Sequence, residues 1–201
     1  MDPKFNCLWA CSRPMGQYRG IYPGRFIERL NEIIPLEGLL ILHQFGGTTK
    51  QDGFNHTVDI NPGVSPTYLT DARELGVIPD NTYDIILADP PYDSQNVNYS
   101  EKLYGCKQVK PYSFVKEGVR VLKHGGYYCI LHQLVYKKPD GCERVGVIAI
   151  TTGPNMRIRV LNIFKKLPKT DASASQQTGE HSAGEKSENA NSPAEVVGDG
   201  Q

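Results

Sequence analysis

The sequence predicts an α/β fold built on a mostly parallel sheet and closed by an antiparallel hairpin. Three observations carry this. Short apolar runs end at glycine, aspartate or proline, as strands buried on both faces do. Between them lie segments whose apolar residues recur at helical spacing. Near the end, residues 146–151 and 156–164 flank Thr152-Gly153-Pro154-Asn155, a turn-forming tetrapeptide that joins two strands into a hairpin.

The elements follow in order. Residues 24–34 place Phe26, Ile27, Leu30, Ile33 and Ile34 at helical spacing, and Pro35 ends that helix. Residues 38–45, Gly-Leu-Leu-Ile-Leu-His-Gln-Phe, form a first buried strand that runs into Gly46-Gly47-Thr48-Thr49. A second strand spans 56–60 and carries Asp59. A short third strand, 67–70, precedes Asp71-Ala72-Arg73. In the fourth, residues 85–88 close the run Tyr83-Asp84-Ile85-Ile86-Leu87-Ala88. Residues 112–123 form an amphipathic helix through Phe114, Val115, Val119, Val121 and Leu122, which Gly125-Gly126 is expected to end. A fifth strand spans 127–134, before the hairpin. Only 46–55 separate the first two strands. That is room for a loop or a turn or two, since a helix rises about 1.5 Å per residue.

Asp89-Pro90-Pro91-Tyr92 is the most informative stretch. Two prolines cannot continue a central strand, so the chain leaves the sheet at Asp89. In open α/β sheets the carboxyl edge of the strands is where ligands bind. The tetrapeptide brings a carboxylate, a carbonyl whose following nitrogen bears no hydrogen, and an aromatic ring to one mouth. Such a set suits a planar base with an exocyclic amino group. The alternative is a strand-ending turn with an incidental tyrosine.

Asp89-Pro90-Pro91-Tyr92 after an apolar strand resembles the catalytic motif of S-adenosylmethionine-dependent amino-methyltransferases, which methylate adenine N6, cytosine N4 or, in some ribosomal RNA enzymes, guanine N2. The succession over residues 18–166 resembles the Rossmann-like class I methyltransferase fold, a mostly parallel seven-stranded sheet with a C-terminal antiparallel hairpin. The resemblance implies that Asp89, Pro90, Pro91 and Tyr92 form the catalytic motif, with Asp89 and the Pro90 carbonyl accepting the two amine hydrogens and Tyr92 stacking on the base. It implies S-adenosylmethionine as cofactor, held by the turn Phe45, Gly46 and Gly47, by Asp59 on the ribose hydroxyls, and by Asp71 and Ala72 at the adenine. Asp59 also reads as a turn-capping aspartate before Asn61-Pro62, and Asp71 as the cap of a short helix over 72–75. The family usually has a full helix between its first two strands, where this chain has 46–55. Arg19-Gly20-Ile21-Tyr22-Pro23-Gly24 resembles the segment that covers the methionine end of the cofactor in DNA amino-methyltransferases; it is equally an ordinary turn.

Composition narrows the setting. The 201 residues are enough for one domain with a substantial core. No apolar run is long enough to span a bilayer, and the first residues lack the pattern of a secretory signal. Five scattered cysteines suit reduced thiols and a cytoplasmic location. No Cys-x-x-Cys pair occurs, so no metal site is expected, and Cys129 reads as core. From residue 170 onward there is almost no large apolar side chain, so 170–201 is expected to be a disordered acidic tail behind a domain of residues 1–169. The tail holds six acids and one base. Of 22 basic and 22 acidic residues in the whole chain, 21 and 16 therefore remain in 1–169, a net of +5. A mildly basic fold suits a phosphate-bearing partner.

Three functions stand at this point: a DNA adenine-N6 methyltransferase, to which the aspartate at the head of the motif leans by resemblance; an RNA (ribosomal) amino-methyltransferase; and a catalytically inactive nucleic-acid-binding relative. No Pro-Cys occurs, which disfavours cytosine-C5 chemistry. Residues 93–110, polar and carrying Tyr99, Tyr104, Lys102, Lys107 and Lys110, are either a substrate-contact loop or a solvated one.

Overall fold

The computed structural model describes residues 8–13, 22–91 and 109–169. Within them lie β1 (Leu8–Ala10), α1 (Phe26–Ile33), β2 (Ile41–Gln44), β3 (Asn55–Asp59), β4 (Tyr68–Leu69), β5 (Tyr83–Ala88), α2 (Val115–Val121), β6 (Leu122–His132), β7 (Cys142–Thr151) and β8 (Arg159–Lys166). The strands form one sheet in the order β1-β7-β8-β6-β5-β2-β3-β4. β8 alone runs antiparallel to its neighbours.

Among the described residues the sheet has eight strands, one more than the seven expected. The additional strand, β1, pairs in parallel with the outer edge of β7, Leu8 opposite Ala149 and Ala10 opposite Thr151. Three residues are too few to display an alternation, and their partner strand is far away in sequence, Leu8 pairing with Ala149.

Both faces of the sheet are covered. On one, α1 sets Phe26 and Leu30 against Ile41, Ile85, Leu87, Cys129 and Leu161, with Trp9 edge-on to Phe26. On the other, Leu75, Ile78, Phe114 and Val121 cover Leu42, Ile86, Tyr128, Ile130 and Phe164. Neighbours along a strand point to opposite faces, so Leu87 and Ala88, or Cys129 and Ile130, enter different layers. Each fully buried large side chain contributes roughly 1.5–3 kcal/mol of transfer free energy.

Helix boundaries are tighter than the apolar spacing suggests. α1 starts after Arg25, whose φ is 66°, and stops where Ile34 turns extended before Pro35. α2 passes directly into β6 at Leu122. The expected helix stop at Gly125-Gly126 is therefore corrected: both glycines lie inside β6, where the register with β5 shifts between Tyr83 opposite Leu122 and Ile85 opposite Tyr127. A Cβ on Gly126 would stand 2.6 Å from the Asp84 carbonyl oxygen, so only glycine fits that approach. Between β2 and β3 the chain makes turns and no helix, and 72–75 forms turns instead of a short helix.

Candidate functional site

The chain runs from β2 outward through β3 to β4, then returns to the other side of β2 with β5 and continues outward through β6. The carboxyl ends of β2 and β5 therefore meet where the strand order reverses, the place where such sheets form a ligand crevice. At this seam the Asp89 amide donates to the Gln44 carbonyl at 3.4 Å.

Leaving β2, Phe45 takes φ of 62° and Gly47 φ of 50°. A left-handed phenylalanine is uncommon and is held here by packing, since its ring meets Phe114 edge-on at 5.0 Å. The Gly46 amide donates to the Val58 carbonyl at 2.9 Å, and a Cβ on Gly46 would stand 2.7 Å from the Thr57 Cβ. Glycine at 46 thus serves the approach of the turn to β3. Asp59, the last residue of β3, accepts from the Gly47 amide at 2.9 Å through Oδ2 and from the Asn61 amide at 2.9 Å through Oδ1. It joins the turns after β2 and β3, and so has the capping role among its expected ones.

Asp89 lies one residue past β5. Its carboxylate is paired with the Arg159 guanidinium, Oδ1 accepting from Nη2, and the two side chains are 15% and 14% exposed. Burial pushes the Asp89 carboxyl above its usual pKa, and the Arg159 charge opposes that rise. Pro90 is buried and Pro91 half-buried. Tyr92 lies outside the described residues, as do Arg19, Tyr99, Lys102, Tyr104 and Lys107; Lys110 is exposed.

Asp71 is occupied locally. It accepts from Arg73 Nε at 2.9 Å and Nη2 at 2.5 Å, and the guanidinium holds its carboxyl below the usual range. Ala72 is buried and its carbonyl accepts from Gln44 Nε2 at 3.2 Å, which fastens the turn after β4 to the end of β2. The geometry brings Phe45, Gly46, Gly47 and Asp59 into one hydrogen-bonded unit, sets Asp89 beside it, and ties Ala72 to the same strand.

Several residues around the site were not singled out from the sequence, and Tyr22 was named only as part of the segment over 19–24. Gln44, fully buried, also accepts from the Tyr128 hydroxyl at 2.6 Å. His43 is hydrogen-bonded to the Tyr22 hydroxyl at 3.1 Å and to Asn55 at 3.2 Å, and burial lowers its pKa. Tyr22 stacks on Phe26 at 5.2 Å; burial, with the Asp89 charge adding to it, holds its phenol well above the usual pKa. His132, at the end of β6, is held down at about 4 by burial, with Arg159 adding to the effect. Two polar residues inside Leu39-Leu40-Ile41-Leu42-His43-Gln44 were the available signal for His43 and Gln44. Arg159 had none, because its partner lies 70 residues away.

No family model matches the sequence, and no curated protein matches it. Solved structures do. One is the protein described as a methyltransferase in complex with the Haloferax volcanii Trm112 methyltransferase activator, with 12% identity over 72% of this chain and 89% of that one and a TM-score of 0.50. Two others are described as methyltransferases. The Bacillus halodurans protein has 13% identity over 72% and 100% of the two chains and a TM-score of 0.46. The Listeria monocytogenes protein, described as S-adenosylmethionine-dependent, has 9% identity over 70% and 97% and a TM-score of 0.46. Likeness at such identity is likeness of fold. The chain has the Rossmann-like class I methyltransferase fold, with β1 added at one edge. No described helix is long and apolar enough to cross a membrane.

Proposed function

We propose that this chain is an S-adenosylmethionine-dependent methyltransferase acting on an exocyclic amino group of a nucleic-acid base, adenine N6 in DNA first. The observation that carries the reading is the adjacency of Asp89 and the Phe45–Gly47 turn, joined through Gln44 at the reversal of strand order. The residues fit the cofactor. A left-handed turn opens backbone toward the crevice, and each Asp59 oxygen accepts one amide, which leaves lone pairs for a ribose diol. Asp71, engaged by Arg73, is the weaker adenine contact of the pair with Ala72.

When bound, S-adenosylmethionine supplies an electrophilic methyl group on a sulfonium. The chain's part is to make a poor nucleophile competent. Asp89 and the Pro90 carbonyl accept the two amine hydrogens and let the nitrogen pyramidalise, while Tyr92 stacks on the base. As the nitrogen gains the methyl it loses one proton, which Asp89 takes up and returns to water. Orientation and electrostatics lower the barrier, with no covalent intermediate on the protein. In a duplex the base is first flipped out, at a cost of a few kcal/mol. Residues 1–169 are the catalytic domain, and their net charge of +5 suits a nucleic-acid partner. Free thiols at Cys11, Cys129 and Cys142 suit the cytoplasm.

The test is incubation with methyl-labelled cofactor and separate DNA and RNA pools, followed by nucleoside analysis. Label in N6-methyladenine from DNA is the expected result. Label recovered only from RNA moves the assignment to an RNA amino-methyltransferase. Calorimetric binding of the cofactor without label in either pool makes the chain a binding relative.

A further inference from the structure

We propose that Arg159 is a positioning residue for methyl transfer: it clamps Oδ1 of Asp89 so that Oδ2 stands as the ionised acceptor for the target amine. The inference rests on the amino-methyltransferase reading and assigns a residue outside the motif to it.

The topology brings Arg159 to the site. β8 is the antiparallel strand, so its first residue lies at the edge where its parallel neighbours end. In register, Val160 is opposite His132, the last residue of β6, and Arg159 is opposite Ile150 near the end of β7. From there the guanidinium reaches Asp89, just past β5.

The pair differs from the other described ion pairs. Those of Arg73, Arg120 and Lys123 have at least one partner 27% exposed or more, whereas Asp89 and Arg159 are 15% and 14% exposed. Exposed pairs contribute little, and desolvating a pair costs more than its attraction returns unless the geometry is good. A carboxylate drawn this far from water without a cation would take up a proton and cease to be an acceptor at both oxygens. Arg159 opposes that protonation, and no other charge is found to act on Asp89 among the described residues. Among the described residues, two other ionisable groups are coupled to the pair and neither is charged near neutrality: the Tyr22 phenol is held up by burial, with the Asp89 charge adding to it, and His132 is held down at about 4 by burial, with the Arg159 charge adding to it. With Oδ1 engaged, Oδ2 makes no hydrogen bond to a described residue. The clamp also neutralises Asp89, so the mouth does not repel the phosphates that flank a base.

The experiment compares the full-length wild type with Arg159→Gln, Arg159→Met and Arg159→Lys. kcat/KM for transfer to the pool that the wild type methylates is measured from pH 5 to 8. The Asp89 carboxyl is titrated in parallel by 13C NMR on aspartate-labelled protein, with Asp89→Asn identifying its signal. In Arg159→Gln the acid limb and the Asp89 midpoint should rise together by about one pH unit or more, the size expected for loss of an adjacent opposite charge. Activity at pH 6 should fall about tenfold and recover in part at pH 8. Arg159→Met keeps the aliphatic bulk and should behave alike if the glutamine variant fails to fold. Arg159→Lys should hold the midpoint near that of the wild type. An unmoved midpoint in a folded, neutral variant overturns the assignment, as does an equal, pH-independent loss in all three. If the wild type itself transfers to neither pool, the parent reading fails and this one with it; transfer by the wild type with an unmoved midpoint removes Arg159 alone.

Discussion

The Gly47 amide donates to Asp59 Oδ2 at 2.9 Å, so the turn after β2 and the acid at the end of β3 form one unit. The same carboxylate caps the Asn61 amide. Asp59 is therefore a structural brace of the crevice as well as its proposed ribose acceptor, and substitutions there have two readouts.

Asp59→Ala should weaken S-adenosylmethionine binding by about 1.5–3 kcal/mol through lost charge-assisted hydrogen bonds. It should also lower stability by about 1–2 kcal/mol, because the two amides lose their partner. Calorimetry and urea unfolding separate the effects. A folded variant with wild-type affinity would remove Asp59 from the cofactor site.

Asp89→Ala should abolish transfer while the cofactor still binds, and should cost about 1–3 kcal/mol of stability, because Arg159 loses a desolvated partner. Tyr92→Ala should weaken activity by about 1–3 kcal/mol through lost stacking, whereas Tyr92→Phe and Tyr92→Trp keep much of it. Equal losses in Tyr92→Phe and Tyr92→Ala would give the hydroxyl the role. Full activity in Asp89→Ala would end the amino-methyltransferase reading.

Gln44→Leu should destabilise the fold through two buried groups that lose their partner, the Tyr128 hydroxyl and the Ala72 carbonyl, at about 1–3 kcal/mol each. The urea midpoint should fall with an unchanged slope. A midpoint within error of wild type would mean that both groups find other partners.

Acidification should destabilise the protein through His132. Its pKa is about 4 in the folded state, against about 6.5 when unfolded. Below the unfolded value the unfolded chain binds a proton that the folded chain refuses, so this stability is fully present above pH 6.5. It is lost as the pH falls towards 4, by up to about 3 kcal/mol. His43, lowered by burial, adds to the loss in the same direction. In His132→Asn, unfolding free energies at pH 7.5 and 5 should lie closer together than in the wild type; an unchanged difference would mean that His132 titrates normally.

Truncation after Lys169 should leave the melting temperature and transfer nearly unchanged, because the residues removed hold almost no large apolar side chains. A fall of several degrees would show that the segment docks.

The sequence by itself determined the fold class, the succession of the inner strands along the chain, and where the chain had to leave β2, β3 and β5. Each is written locally: in apolar runs such as Ile85-Ile86-Leu87-Ala88, in glycines and prolines that a strand cannot continue through, and in acids just at strand ends. The motif at Asp89 was legible for the same reason, since its four residues are contiguous. Tertiary structure decided what local pattern does not encode. β1 is three residues long and acquires its identity only from β7. Gly125-Gly126 reads as a helix stop, yet both lie inside β6, and Gly126 serves a close approach to the Asp84 carbonyl. Asp71 carries the same chemistry as Asp59, but Arg73 two residues on engages it, while Asp59 faces the turn after β2. Arg159 sits in an alternating strand like any exposed arginine. Only the reversed direction of β8, which carries its first residue to the carboxyl edge, sets it against Asp89 and makes it part of the site.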